Sequence, residues 1–464
     1  NTTEREIIRR ISLNITNILN TLQSIGLDYL SIDRKADSLS GGEAQRLRIA
    51  GILSAKLYGV CYILDEPTIG LHPKDTAALI SVLKRLIAKN NTVVVVEHDE
   101  TFIKQADYII EMGPEAGKNG GFIVAEGNID TIKTKTKSVT ARLLNCKNQE
   151  FPQKRNFKTN SFGITGAFAN NLKNCNANFI TGGIIAVTGV SGSGKSSLIN
   201  EVLLKSIKSG TPRNCTQTFG LEQFSKIIHA NQYPISTNSL STPASYSGIL
   251  DDLRELYAAS REAKAKGFKK SAFSYHHKDG KCPECNGYGQ LRISMDFMSD
   301  IWTTCDICKG KRYRNEVLDI KIKGLSIADS LQLTINEAHT IFKDILKISD
   351  KLRICIDTGI GHLQLGQAAN TLSGGEAQRL KLSTEIIKSK SHKNILLLDE
   401  PSTGLHYFDI INLAKVFNRL ANKGNTIIYI EHNPVLINIA NQVISIGPAS
   451  GNEGGEIISN DIRN

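Results

Sequence analysis

The chain has 464 residues, 40% hydrophobic and 22% charged, and carries 56 Lys and Arg against 45 Asp and Glu, a net charge of +11. This is the composition of a globular protein with room for two or three domains. No apolar run approaches the ~18 residues that a membrane span needs. The opening ten residues mix acids and bases and are no signal peptide, so a cytoplasmic location is expected, and the basic excess favours a polyanion partner, nucleic acid first.

In chain order, Ser38 to Leu47 reads SLSGGEAQRL. The apolar run Cys61 to Leu64 predicts a short strand ending in Asp65 and Glu66, and Ala77 to Lys89 predicts a helix. The β-branched run Thr92 to Val96 predicts a second strand, followed by Glu97 and His98. Residues 133–160 are polar and basic, with Pro152 among them, and read as a linker. Gly183 to Thr188 is a further apolar run. It leads into Gly189-Val190-Ser191-Gly192-Ser193-Gly194-Lys195-Ser196 and then the helix-like stretch Ser197 to Lys208. Strand, G-x-x-x-x-G-K-S loop and helix form the context a phosphate-binding loop requires. Backbone N–H groups and the helix dipole would face the phosphates, Lys195 would meet the β- and γ-phosphates, and Ser196 would hold Mg²⁺. Ser197 completes the nucleotide-binding set.

After this loop the opening pattern returns. Thr371 to Leu380 reads TLSGGEAQRL, 333 residues after its first occurrence, and Leu-Asp-Glu-Pro recurs from 64–67 at 398–401. Glu97-His98 recurs as Glu431-His432, and Gly113-Pro114 as Gly447-Pro448. The protein therefore contains two copies of one domain type. Apolar strands separated by helices predict an α/β fold with a parallel sheet buried on both faces. Asp399 at a strand end suits Mg²⁺, and Glu400 suits the orientation or deprotonation of an attacking water.

Of nine cysteines, Cys61, Cys146, Cys175, Cys215 and Cys355 are scattered, whereas Cys282, Cys285, Cys305 and Cys308 form two C-x-x-C pairs nineteen residues apart. Four thiolates at this spacing predict a closed structural Zn²⁺ site. Its flanks are basic: Lys266, Lys269, Lys270, Lys309, Lys311 and Arg312 are candidates for phosphate contacts on DNA, and Tyr313 or Trp302 for stacking on an exposed base.

The LSGGEAQR blocks, the Asp-Glu-Pro endings and the later histidines resemble the signature, Walker B and switch elements of ABC ATPases, which implies a P-loop NTPase fold with two tandem heads. In that family ATP is held between the Walker motifs of one head and the signature of the other. The resemblance implies Glu400 as general base, His432 as γ-phosphate switch and Gln232 as the Q-loop glutamine. It implies Ser40, Gly41 and Gly42 as the signature acting in trans on the Lys195 loop. The other site would have Asp65, Glu66 and His98 with the signature Ser373, Gly374 and Gly375, but no phosphate loop lies before Asp65, so the first head is incomplete and a fragment of a longer chain is expected.

Two ABC heads with a zinc module inside the second resemble the UvrA family, the damage-sensing subunits of nucleotide excision repair, and the chain looks like the C-terminal portion. Thr3 to Glu6, Val187 to Ser196, Tyr246 to Leu256 and Cys305 to Tyr313 carry that likeness. It implies a homodimer that spends ATP on damaged double-stranded DNA, loads UvrB and has no nuclease activity of its own. A drug-resistance paralogue of the family and a transporter ATPase subunit are the alternatives. The expected organisation is a signature and Walker B part of the first head at 1–132, a linker at 133–160, and the Walker A lobe of the second head at 161–230. An insertion at 231–370 carries the zinc module at 282–308, and the signature and Walker B part of the second head follows at 371–464.

Overall fold

The computed structural model describes residues 2–36, 41–54, 57–68, 73–114, 120–145, 160–230, 235, 238, 240–293, 301–388, 393–405 and 407–463. They form two units, one of residues 1–229 with 391–464 and one of residues 230–390.

In the first unit the earlier copy begins with a helix Thr2–Ser24 and the signature helix Gly41–Ser54. Strand β1 (Cys61–Asp65) pairs in parallel with β2 (Thr92–Val96), and β3 (Ile109–Gly113) pairs antiparallel with β4 (Phe122–Gly127). The helix Pro73–Ile87 between β1 and β2 starts on proline, whose missing N–H costs nothing in a first turn. It ends with Lys84 and Arg85, which suit the negative end of the dipole. Its buried Leu79, Val82, Leu83 and Leu86 form one stripe against Tyr62 and Leu64 of β1 and Ile49 of the signature helix. A short helix Val139–Asn145 falls within the range read as a linker and buries Ala141 with Ala125 and Ile132. Residues 146–159, Cys146 included, lie outside the described residues.

The later copy adds β5 (Ser161–Ala167), β6 (Cys175–Ile180), β7 (Ile184–Thr188), β8 (Cys215–Phe219) and β9 (Lys226–Ala230). After the second unit come strands at Asn394–Asp399, Thr426–Ile430, Gln442–Gly447 and Glu456–Ile462. With β10 (Gln290–Ile293) and β11 (Ile301–Thr304) forming a hairpin in the second unit, these four are β12 to β15. One sheet runs β15-β14-β7-β13-β12-β9, and a smaller one β6-β5-β8. The phosphate-loop strand β7 stands between β13 and β14, parallel to both. The expected parallel, doubly covered sheet is thus present in β12, β13, β7 and β14, with β13 buried at every residue, while β15 joins the edge antiparallel.

The two copies differ where β7 stands. Among the described residues no strand fills that place between β2 and β3, which lie in separate two-stranded sheets. Val96 and Met112 are 55% and 60% exposed, while their counterparts 334 residues on, Ile430 and Ile446, are each 1% exposed. Ile63, Val94 and Ile110 are likewise open, and Leu397, Ile428 and Ile444 closed. The same apolar pattern is present in both copies, but only one is covered by a phosphate-loop lobe.

The second unit has its own core, with Tyr257, Phe273, Tyr275, Tyr313, Phe342, Leu352 and Leu380 in one apolar cluster.

Candidate functional site

The loop after β7 is built for close approach by a ligand. Gly189, Gly192 and Gly194 have φ of 139°, 74° and 108°, and a Cβ on Gly189 would stand 2.1 Å from the Ile446 carbonyl oxygen. Buried Lys195 donates from Nζ to the carbonyl oxygens of Gly189 at 2.9 Å and Val190 at 2.8 Å. Ser193 Oγ is buried with no hydrogen-bond partner among the described residues. Ser196 is exposed at the entry to the helix Ser197–Leu204, and Ser197 Oγ accepts from Asn170 Nδ2 at 3.0 Å. Asn171 Nδ2 donates to the Gly192 carbonyl at 3.1 Å and so braces the loop from β5's far end. A buried ammonium, an unpartnered hydroxyl and a helix N-terminus at a glycine-shaped cradle fit an oligophosphate.

Strand register brings the acids to the same edge. Asp399 pairs with Ile430, and Ile430 with Val187, so β12, β13 and β7 end side by side. Glu400 follows at φ 46° and donates its N–H to the Ile430 carbonyl at 3.0 Å. Desolvation pushes the Asp399 carboxyl up, while Lys195 and the Asn200 side chain pull it back. Desolvation, with the charges of Asp399 and Glu431, pushes Glu400 up to about 8 against the pull of Lys195 and Arg46. A carboxyl of that basicity suits proton transfer near neutral pH.

Glu431 organises the loops around this edge. It is buried, and desolvation pushes its carboxyl up. It accepts from the backbone N–H of Ser402 at 2.9 Å, of His432 at 2.8 Å and of Asn433 at 2.9 Å. One carboxylate thereby ties the segment after Glu400 to the segment carrying His432. The earlier copy repeats the arrangement: Glu97 accepts from Thr68 N at 2.9 Å, His98 N at 3.0 Å and Asp99 N at 3.2 Å. There Glu66 follows Asp65 with φ 43°, and its carboxylate lies 3.8 Å from His98 Nδ1.

The signature helix of the earlier copy meets the Lys195 loop. Arg46 Nη2 donates to Ser191 Oγ at 3.0 Å, and Nη1 to the Gly26 carbonyl at 3.0 Å. Tyr29 OH donates to Glu43 Oε1 at 2.6 Å and lies 3.5 Å from Ser191 Oγ. The Tyr29 ring covers Gly192, where a Cβ would come within 2.8 Å of it. Gly41 and Gly42 open this helix. Ser40, the residue expected to reach the nucleotide, and Gln232 both lie outside the described residues. The second signature sits in the other unit. Exposed Ser373 and half-buried Glu376 cap the helix Gly374–Lys388 reciprocally, Glu376 N to Ser373 Oγ at 3.3 Å and Ser373 N to Glu376 Oε2 at 2.8 Å, with Gly374 and Gly375 in its first turn. Sequence reasoning assigned no role to Arg46, Tyr29 or Glu431, although Arg46 falls in a signature block and Glu431 repeats Glu97; Tyr29, nine residues before its block, carries no such signal.

Cys282, Cys285, Cys305 and Cys308 are buried together, their sulfurs all within 4.8 Å of one another. The Cys282–Cys305 and Cys285–Cys308 separations are 4.0 and 3.6 Å. A tetrahedral Zn²⁺ with bonds of about 2.3 Å sets sulfurs about 3.8 Å apart, so the four fit one ion. Gly289 N–H donates to Cys285 Sγ at 3.2 Å, as an amide does to a thiolate.

The basic candidates are more engaged than expected. Lys266 pairs with Asp319 at 3.2 Å, Lys270 with Glu255 at 2.7 Å, and Lys311 with Asp329 at 3.2 Å. Arg312 lies over the Tyr275 ring, 5.4 Å from its centre. Lys269 and Lys309 are exposed. Tyr313 corrects an expectation: it is 1% exposed and cannot stack on a base, because its ring packs edge-on to Tyr275 in the second unit's apolar core. Trp302, on β11, is exposed.

No protein-family model matches the chain. It is 45% identical over 462 residues to the UvrABC system protein A of Clostridium perfringens, covering 98% of this chain and 49% of that protein. The crystal structure of UvrA2 from Deinococcus radiodurans superposes with a TM-score of 0.91 at 38% identity, covering 98% of this chain and 56% of that one. A structure of ribosome-bound archaeal Pelota and ABCE1 has a TM-score of 0.56 at 17% identity over 96% of this chain and 59% of that chain, a likeness of fold alone. The chain thus spans about half the length of the curated relatives it matches. Over nearly all of its own length it matches, in sequence and in fold, about half of a UvrA-family protein.

Proposed function

We propose that this chain is an ATP-hydrolysing element of UvrA-type damage recognition in nucleotide excision repair. The observation that carries the reading is the seating of the earlier copy's signature helix on the later copy's phosphate loop, through Arg46 and Ser191. ATP would lie in the Gly189–Ser196 cradle, with Lys195 at its β- and γ-phosphates. Ser196 and Asp399 would hold Mg²⁺, which neutralises phosphate charge. Glu400 would orient and deprotonate the attacking water, and His432 would face the γ-phosphate, both held in place by Glu431. The helix N-terminus at Gly41 and Gly42 would close the site, with Ser40 ahead of it. Asp65, Glu66 and His98 would serve a second site with another phosphate-loop lobe, and Ser373, Gly374 and Gly375 would act as the second signature. Such a lobe would also cover the open apolar face at Ile63, Val94, Val96, Ile110 and Met112, each worth about 1.5–3 kcal/mol when fully buried.

A Zn²⁺ on the four cysteines would hold the β10–β11 hairpin and its basic flanks. The exposed pairs of Lys266, Lys270 and Lys311 are screened by solvent and weak enough to exchange for DNA phosphates, and Lys269, Lys309 and Arg312 would add to them. Damaged duplex DNA, UvrB and a second copy of the protein are the partners in this reading. Among the described residues no helix is long and apolar enough to cross a membrane. ATP turnover measured with and without damaged duplex tests it: the expected result is DNA-stimulated turnover that Lys195→Ala abolishes. Turnover indifferent to DNA would overturn the repair reading.

A further inference from the structure

The contact between the copies is a designed polar grip. Arg46 is 2% exposed, and its guanidinium is fixed from its own side by the carbonyls of Gly26 at 3.0 Å and Ile25 at 3.4 Å. From that anchor it reaches Ser191 Oγ, 145 positions away in the sequence. The main chain of Ser191 is held by its own copy, its carbonyl accepting from Ser450 Oγ at 2.6 Å. The next residue, Gly192, accepts from Gly451 N at 3.0 Å and lies under the Tyr29 ring. The tip of the phosphate loop is therefore clasped between one copy's backbone and the other copy's Arg46 and Tyr29, while Lys195 at the other end donates within its own loop.

We propose that Arg46 is a positioning residue for ATP turnover: it holds Ser191 so that the signature helix stays closed on the nucleotide, and hydrolysis depends on this grip while nucleotide capture does not. Capture uses the cradle of the later copy alone, whereas hydrolysis needs both halves together. A planar, permanently charged fork satisfies two carbonyls and a hydroxyl at once, which an ammonium on a flexible stem does not. The repeat places Arg379, also buried, at the same point of the second signature helix.

The inference rests on the ATPase reading of this site and is tested on the full chain by steady-state ATP hydrolysis. Arg46→Ala is expected to lower kcat about 10- to 100-fold, the worth of one hydrogen bond from a charged donor. KM for ATP should stay within about threefold, as for an interaction absent from nucleotide capture. Arg46→Lys should recover little of the loss, and Ser191→Ala should reproduce it. The double variant should be no slower than Arg46→Ala alone, because both remove one contact. An unchanged kcat in Arg46→Ala, or a double variant whose loss is the product of the single losses, overturns the proposal. Should Arg46→Ala fail to fold by circular dichroism, Ser191→Ala decides: a lowered kcat at constant KM supports the grip, and an unchanged kcat overturns it. Absence of turnover in the wild-type chain would sink the ATPase reading and this inference with it; wild-type turnover with indifferent variants sinks only the inference.

Discussion

Glu431→Ala should be among the most damaging single changes in the later copy. The side chain is 2% exposed and accepts from the N–H groups of Ser402, His432 and Asn433. Alanine removes the acceptor and leaves three donors facing a space that water reaches poorly. Each unsatisfied buried donor costs about 1–3 kcal/mol, so the loss is about 3–6 kcal/mol once partial rescue by relaxation is allowed for. The carboxyl's own desolvation, released by the same substitution, reduces the loss but does not cancel it. At about 2–4 °C per kcal/mol for a domain of this size, the apparent Tm should drop by at least about 6 °C. The earlier copy supplies the control. Glu97 makes the same three bonds, but it is half-buried, so water can replace it and Glu97→Ala should cost less. Differential scanning calorimetry of both variants checks this. A Glu431→Ala transition within 2 °C of wild type, or one equal to that of Glu97→Ala, would refute the view that a buried pin joins the Glu400 and His432 segments (about 2 °C being under 1 kcal/mol).

Glu400→Gln should retain ATP binding and lose turnover by at least about 100-fold, as loss of a general base does; normal hydrolysis in a phosphate-release assay would place the base elsewhere. Cys282→Ser should lose one Zn²⁺ per chain by atomic absorption, since three thiolates leave the tetrahedron open; full zinc content would contradict the site. The Glu376 carboxyl, although partly buried, is held down to about 2 by the His362 ring, 2.9 Å from it, and by the Ser373 backbone. Because the folded value lies below the unfolded one near 4.3, this stabilisation is complete above about pH 4.5 and lost as pH falls towards 2. Urea midpoints against pH should fall over that window in wild type and less steeply in Glu376→Gln; equal slopes would refute the assignment.

Much of the architecture was legible because it rests on local chemistry. The G-x-x-x-x-G-K-S run demands a strand before it and a helix after it, and β7 and the helix Ser197–Leu204 stand there. The cysteine spacing was enough to bring four sulfurs together, since each pair needs only one tight turn. The ordered recurrence of the motif blocks at 333 or 334 residues is itself a property of the sequence and marks two copies. Tyr313 shows where such reading stops. An aromatic beside lysines suits a nucleic-acid surface and an apolar core equally, and only packing with Phe273 and Tyr275 shows which role it plays.

Periodicity and motif spacing therefore dictated β1, β2 and β7, the helices after β1 and β7, the glycine-rich loop and the thiolate cluster, all of which arise from residues near one another in the chain. Long-range closure decided the rest. Val96 and Ile430 occupy the same place in the same pattern, yet one is open and the other sealed, because burial depends on whether Phe162, Phe179 and Leu198 of a phosphate-loop lobe pack on that face. The joining of Arg46 to Ser191 across 145 positions likewise has no local signature, for a guanidinium finds its acceptor only when the chain has folded around both.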